Sequence, residues 1–302
     1  MRWRDLAELV RLPAALTVPG DTLVGAAAAG WPSGRRTAAL PLASAALYWA
    51  GMALNDWSDR DLDAVERPDR PIPSGRVRPD EALAVAAGLT GAGLACAAVA
   101  GRRPLAVASL LAAAVWTYDL VAKPTPAGPV VMASTRFLDV LMGAGGRRAA
   151  LGPATALGAH TLAVTAVSRG EVHGSTTCTG RAAVATTLGT GIAAALAALG
   201  AVDRDGAAGR RRHELSRRRP RREVVAGPAL AATYVAAVLP AQLDVVRKPD
   251  AQNARRATGV GIRGMVPLQA ALLAGQGAVG AALGLLAVLP LARAGAKVVS
   301  PT

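Results

Sequence analysis

Residues 55–77, NDWSDRDLDAVERPDRPIPSGRV, begin where an apolar stretch ends and set acids at Asp56, Asp59 and Asp63 in an NDxxDxxxD spacing. Steps of three and four bring these side chains, with Asn55, onto one face of a helix. Like charges on one face destabilise a helix unless a counter-ion meets them. Hard divalent cations take oxygen ligands, and Mg²⁺ is usually held by one or two carboxylates plus the phosphates of a substrate. Arg67, Arg70 and Arg76 follow at once, with Pro68, Pro71 and Pro73 stiffening the connection. Carboxylates for the cation, and arginines to take the remaining phosphate charge by forked hydrogen bonds, are the two halves of a metal–diphosphate site. The bland alternative is a helix end dressed with solvated charges, which gives no reason for both halves to be present.

Outward from this stretch the 302-residue chain is 52% hydrophobic but only 3% aromatic, with a mean hydropathy of +0.33. Nine segments are near the length a helix needs to cross a bilayer: roughly 11–29, 37–55, 82–100, 104–121, 128–145, 149–167, 182–202, 224–243 and 267–292. Charges collect between them rather than along one face of each helix, as in a soluble bundle. The expected fold is an all-α, polytopic membrane bundle of about nine transmembrane helices in a single domain, 1–302. The net charge of +14 lies mostly in inter-helix segments, where anionic lipid headgroups are the nearer partner, so nucleic acid is not expected. Cys96 and Cys178 show no metal or disulfide spacing. At the amino end Pro19, Gly20 and Asp21 interrupt the apolar run, which argues for an uncleaved first helix rather than a signal peptide.

Short breaks such as GRRP at 101–104 and KPTPAGP at 123–129 imply antiparallel neighbours. Three longer polar connections, 56–81, 168–181 and 244–266, fall on one side, the cytoplasmic one if the amino terminus is cytoplasmic. The basic stretch 203–223 carries nine arginines on the opposite side and reads as a solvated, mobile loop. The expected location is a bacterial plasma membrane, with the acidic cluster facing the cytoplasm.

Asn55 to Asp63, running on through Arg67-Pro68-Asp69-Arg70-Pro71-Ile72-Pro73-Ser74-Gly75, closely resembles the first aspartate-rich motif of the UbiA superfamily of intramembrane prenyltransferases. That resemblance implies nine transmembrane helices with this motif between the second and third. Tyr118 and Lys123 look like the family's tyrosine and diphosphate-binding lysine, and Arg136 with Leu141-Met142-Gly143-Ala144 looks like its fifth-helix signature. The family's second aspartate motif would hold a second Mg²⁺. In its place stands Ser168-Arg169-Gly170-Glu171-Val172-His173-Gly174, where Glu171 is the sole carboxylate and Arg169 and His173 are its polar neighbours. SRGEVHG and the later GVGIRGMVPLQAALL at 259–273 look like the EboC-like branch, associated with secondary metabolism.

Two acids lie at membrane depth, where a charge is a functional candidate by default: Asp21, and Asp139 three residues after Arg136. Asp139 is read either as an intrahelical partner of Arg136 or as a substrate contact. His160 reads as a satisfied bundle histidine. Tyr48, Trp49, Trp116, Tyr118 and Phe137 could shield an allylic cation, although interface anchoring explains the tryptophans as well.

These readings converge on transfer of a prenyl group from an isoprenoid diphosphate to an aromatic or other small lipophilic acceptor. Asp56, Asp59 and Asp63 with Asn55 would hold Mg²⁺, with Glu171 as second ligand or base. Arg67, Arg70 and Lys123 would stabilise the diphosphate. Tyr118, Arg136, Arg169, His173 and Asp21 complete the substrate contacts. The alternative is a non-catalytic membrane protein that binds or translocates a lipophilic secondary metabolite. A CDP-alcohol phosphotransferase would need DG and AR pairs ahead of its aspartates, and residues 45–63 contain neither.

Overall fold

The structure, a computed structural model, describes residues 1–12, 18–31, 34–211 and 221–287. All its regular elements are helical. It divides into two compact units, one spanning Met1–Arg148 together with the chain from Ala287 and the other Ala149–Leu286, and each is described by itself.

In the first unit α1 (Trp3–Leu9) ends ahead of the first expected span, 11–29, and α2 (Pro19–Ala28) forms the later part of it, with Pro19 at the first helical position, where its missing N–H costs nothing. A 3₁₀ turn at Gly34–Ala38 leads into α3 (Ala39–Ser58), and Asp59 alone separates it from α4 (Arg60–Glu66). α5 (Pro79–Ala100) ends at Gly101, whose φ of 131° suits glycine and lets α6 (Arg102–Thr117) turn back. A π turn at Tyr118–Ala122 closes α6, and α7 (Gly128–Gly143) completes the unit. α3 packs on α5, α6 on α7, and α2 on α7. At the last of these contacts a Cβ on Gly25 would stand 1.9 Å from the Val140 carbonyl oxygen, and one on Gly143 would stand 2.1 Å from that of Thr22, so the two backbones touch. Such close approach between apolar helices needs small residues.

The second unit packs α8 (Leu151–Ser168), α9 (Thr177–Arg211), α10 (Arg221–Arg247) and α11 (Ala251–Gly275) against one another, with a further helix at 279–287. His160 is fully buried. Its Nδ1 lies 2.8 Å from the Tyr234 hydroxyl and its Nε2 is 3.0 Å from the Gly261 carbonyl oxygen, which makes it the satisfied bundle histidine expected.

Seven helical stretches among the described residues are long and apolar enough to cross a membrane: Arg36–Ser58, Pro79–Ala100, Arg102–Ala122, Arg148–Ser168, Thr177–Leu199, Val225–Arg247 and Ala251–Gly275. Two of the nine expected spans are not among these. The first, 11–29, includes residues outside the described ones, with α2 holding 19–28, and the fifth, α7, is 16 residues long with Arg136 and Asp139 inside it. The last span is also re-placed. Residues 251–266, expected in a polar loop, form the first part of α11, because their charges occupy one side of a helix whose other side carries the buried Ala254, Ala257, Thr258, Gly261 and Gly264. Asp250 caps this helix by accepting the Asn253 backbone N–H at 2.8 Å, which holds its carboxyl below the usual range. Of the expected basic loop, 203–211 and 221–223 are the ends of α9 and α10, and 212–220 lies outside the described residues.

Candidate active site

The carboxy-terminal turns of α3 carry Asn55 and Asp56, and the one-residue junction at Asp59 hands the acidic face on to Asp63 in α4. Asp56 and Asp63 are 4% and 2% exposed, so their charges need partners. Arg70 supplies one: its Nη1 donates to Asp63 Oδ2 at 2.5 Å and to Asp56 Oδ1 at 3.2 Å. Lys123 pairs with Asp59, and Asn55 Nδ2 donates to Asp119 Oδ1 at 3.3 Å. Arg67 reaches Asp63 only at 3.9 Å and is largely exposed.

Two members of this cluster were not foreseen. Arg11 Nη2 donates to Asp56 Oδ1 at 3.1 Å, and Arg11 holds a φ of +48°, uncommon for any residue but glycine. Its place is fixed by the neighbouring α1, whose Glu8 takes a forked pair from Arg76, Nη1 to Oε2 at 2.6 Å and Nη2 to Oε1 at 3.0 Å. That carboxylate raises the Arg76 pKa and keeps the guanidinium charged. Asp119 is the other, in the π turn between the expected Tyr118 and Lys123. Arg11 stands two residues ahead of Pro13 and Asp119 between two family-like positions, and the sequence offers no other signal for either.

From this cluster a cavity of about 260 Å³ leads into the unit, lined by Arg11, Asn55, Tyr118 and Asp119 at one end and by Ser44, Tyr48, Thr135, Arg136 and Asp139 elsewhere. Leu47, Gly51, Met52, Leu111, Val115 and Met132 make its apolar walls. Of the five aromatics singled out, Tyr48 and Tyr118 line it, whereas Trp116 Nε1 donates to Thr90 Oγ1 at 3.2 Å. Arg136 does not take Asp139 as its bridge partner. It donates to Asp21 Oδ2 at 2.9 Å and lies 5.9 Å from the Tyr48 ring centre, because Asp21 projects from α2 onto α7 where the backbones touch. Asp139 accepts instead from Ser44 Oγ at 2.6 Å, and its Oδ1 has no hydrogen-bond partner.

Arg169, Glu171 and His173 belong to the second unit, in the turn between α8 and α9. Arg255 Nε donates to the Glu171 backbone oxygen at 2.7 Å, and Ser175 N donates to the Pro249 oxygen at 2.9 Å. Gly174, at φ +89°, makes the bend. Arg169 and His173 are exposed.

Among the described residues no three His, Cys, Asp or Glu side chains are gathered as a ready metal cage. The donor set of the first unit nonetheless fits Mg²⁺ in kind. It is all oxygen, and Asp56 and Asp63 already converge on one cationic nitrogen.

Residues 16–245 match the model of the UbiA prenyltransferase family. A digeranylgeranylglyceryl phosphate synthase of Methanopyrus kandleri is 43% identical over 94 residues, 31% of this chain and 35% of that protein. One of Natronomonas pharaonis is 36% identical over 126 residues, 41% of this chain and 46% of that protein. The matched regions thus span less than half of these curated relatives. Among solved structures, a UbiA homologue from Archaeoglobus fulgidus bound to DMAPP and Mg²⁺ superposes with a TM-score of 0.59 at 15% identity, covering 87% of this chain and 98% of that one. The apo UbiA homologue from Aeropyrum pernix gives 0.57 at 18% identity, covering 86% and 96%. These likenesses bear on the fold.

Proposed function

This chain belongs to the UbiA prenyltransferase family, and from that premise we propose that it is a multi-pass membrane enzyme transferring a prenyl group from an isoprenoid diphosphate to a small lipophilic acceptor. The observation that carries the reading is the convergence of Asp56, Asp59, Asp63 and Asp119 with Arg11, Arg70 and Lys123 at the mouth of a largely apolar cavity. Diphosphate departure needs cations aimed at the leaving group, and a prenyl chain needs an apolar enclosure. Mg²⁺, when bound, supplies charge neutralisation of the diphosphate, and Asp56, Asp59 and Asp63 with Asn55 would hold it. Arg70, Lys123 and the more exposed Arg67 would take the remaining phosphate oxygens. Tyr118 and Tyr48 face the space where the allylic carbon would sit. Glu171, Arg169 and His173 would bring the second metal ligand or base.

One domain, 1–302, a bacterial plasma membrane and a cytoplasmic site remain the preferred setting. The segments SRGEVHG and GVGIRGMVPLQAALL favour the EboC-like branch and an acceptor from secondary metabolism, aromatic ones included. The named relatives make digeranylgeranylglyceryl phosphate, so a glyceryl phosphate acceptor belongs in the same panel.

The test is release of pyrophosphate by the full chain in lipid nanodiscs with Mg²⁺, prenyl diphosphates and candidate acceptors. Asp56→Asn with Asp59→Asn should lower the rate at least 100-fold, on the order of the loss of a transition-state charge contact. No release with any donor would instead favour the non-catalytic binding protein, the reading to which the single carboxylate at 169–174 lends support.

A further inference from the structure

We propose that the end of the cavity remote from the aspartate cluster is an acceptor-anchoring site, which takes a hydrogen-bond donor, a hydroxyl or amino group, onto Asp139 and rejects carboxylate and phosphate groups. The inference deepens the transferase reading and rests on it for naming the occupant an acceptor.

One face of α3 runs the length of the cavity, with Asn55, Met52, Gly51, Tyr48, Leu47 and Ser44 all lining it. Eleven residues at the helical rise separate Asn55 from Ser44 by about 16 Å. A diphosphate held at the aspartates therefore cannot also occupy the Ser44 end. That end is polar all the same. Asp139, 3% exposed, has Ser44 as its hydrogen-bond donor through Oδ2, and Oδ1 is buried without a partner. Both oxygens of a carboxyl group can accept hydrogen bonds, and a buried acceptor left unmet is costly.

Charge fixes which group can satisfy it. Asp21 is paired with Arg136, and the guanidinium also faces the Tyr48 ring, so the positive charge is already matched. Asp139 is left as the excess acid on the cavity wall. A substrate carboxylate brought here would set three acids around one guanidinium. A hydroxyl would complete Asp139, and an ammonium would also neutralise it.

The full chain in nanodiscs is dialysed to equilibrium against benzyl alcohol, benzylamine and benzoate, with uptake by empty nanodiscs subtracted. Benzylamine and benzyl alcohol should bind, benzoate at least tenfold more weakly, and Asp139→Asn should reduce the preference for benzylamine over benzoate at least tenfold. Benzoate binding as tightly as the alcohol, absence of binding by all three, or an unchanged order in Asp139→Asn would overturn the proposal. If that variant does not fold, the order in the natural protein decides alone. Because turnover is not read, pyrophosphate release without this order sinks only the anchoring site. The order without release sinks only the transferase reading.

Discussion

Two connections carry the acids of the proposed chemistry, and they are built in opposite ways. At 55–77 each acid of the NDxxDxxxD spacing is answered by a side-chain cation: Arg70 of the same connection for Asp56 and Asp63, and from other segments Arg11 for Asp56 and Lys123 for Asp59. At 168–176 the shape is held through the backbone, by the bend at Gly174, by Arg255 on the Glu171 carbonyl oxygen and by Ser175 on Pro249. No hydrogen bond or ion pair involves the Glu171 side chain among the described residues. The first connection has put its charge into its own architecture, so its acids are structural as well as chemical. The second leaves its acid outside the architecture, and that acid is expendable for folding.

Arg70→Ala should expose this contrast most sharply. It leaves Asp56 and Asp63 buried with a weakened counter-charge, and removal of one partner from such a pair costs about 3 kcal/mol, the low end of the range because Arg70 itself is partly exposed. Thermal unfolding in detergent should show the drop. Glu171→Gln should change stability by less than about 0.5 kcal/mol, as for surface positions without partners, while lowering pyrophosphate release at least tenfold. A Glu171 variant as unstable as Arg70→Ala would erase the distinction. The smallest effect concerns the helix that backs the second connection. The Asp250 carboxyl, held below its usual 3.8 by the Asn253 backbone N–H, contributes its cap fully above that value and loses it as pH falls through the lower folded pKa. Hydrogen-exchange protection of the first α11 amides should therefore stay level from neutral pH down to about 4 and decline only below it.

The aspartate stretch was legible because its chemistry is local. Asn55, Asp56, Asp59 and Asp63 lie within one helical run, and Arg70 is within reach of it. Arg11 was not, since it meets Asp56 across 45 positions and only tertiary folding joins them. Arg136 was singled out with two readings of Asp139 open: i to i+3 spacing permits the pair, yet the glycine contact between α2 and α7 brings Asp21 to the guanidinium instead. Hydropathy placed most spans and failed at 251–266, where Arg255, Arg256 and Arg263 hide a helix that is apolar on its other side. Periodicity, not mean hydropathy, carries that signal.

The touching backbones at Gly25 and Gly143 have a mechanical consequence. With a carbonyl oxygen where each Cβ would be, α2 and α7 have no side-chain layer between them to act as a lubricant. Neither can roll or slide on the other without collision, and the Asp21–Arg136 bridge pins the same joint. The wall that carries Asp139 is thus the fixed jaw of a vice. Any widening of the cavity has to come from the jaw formed by α3 and α6, whose cavity faces meet across side chains that can change rotamer, such as Leu47, Met52 and Leu111.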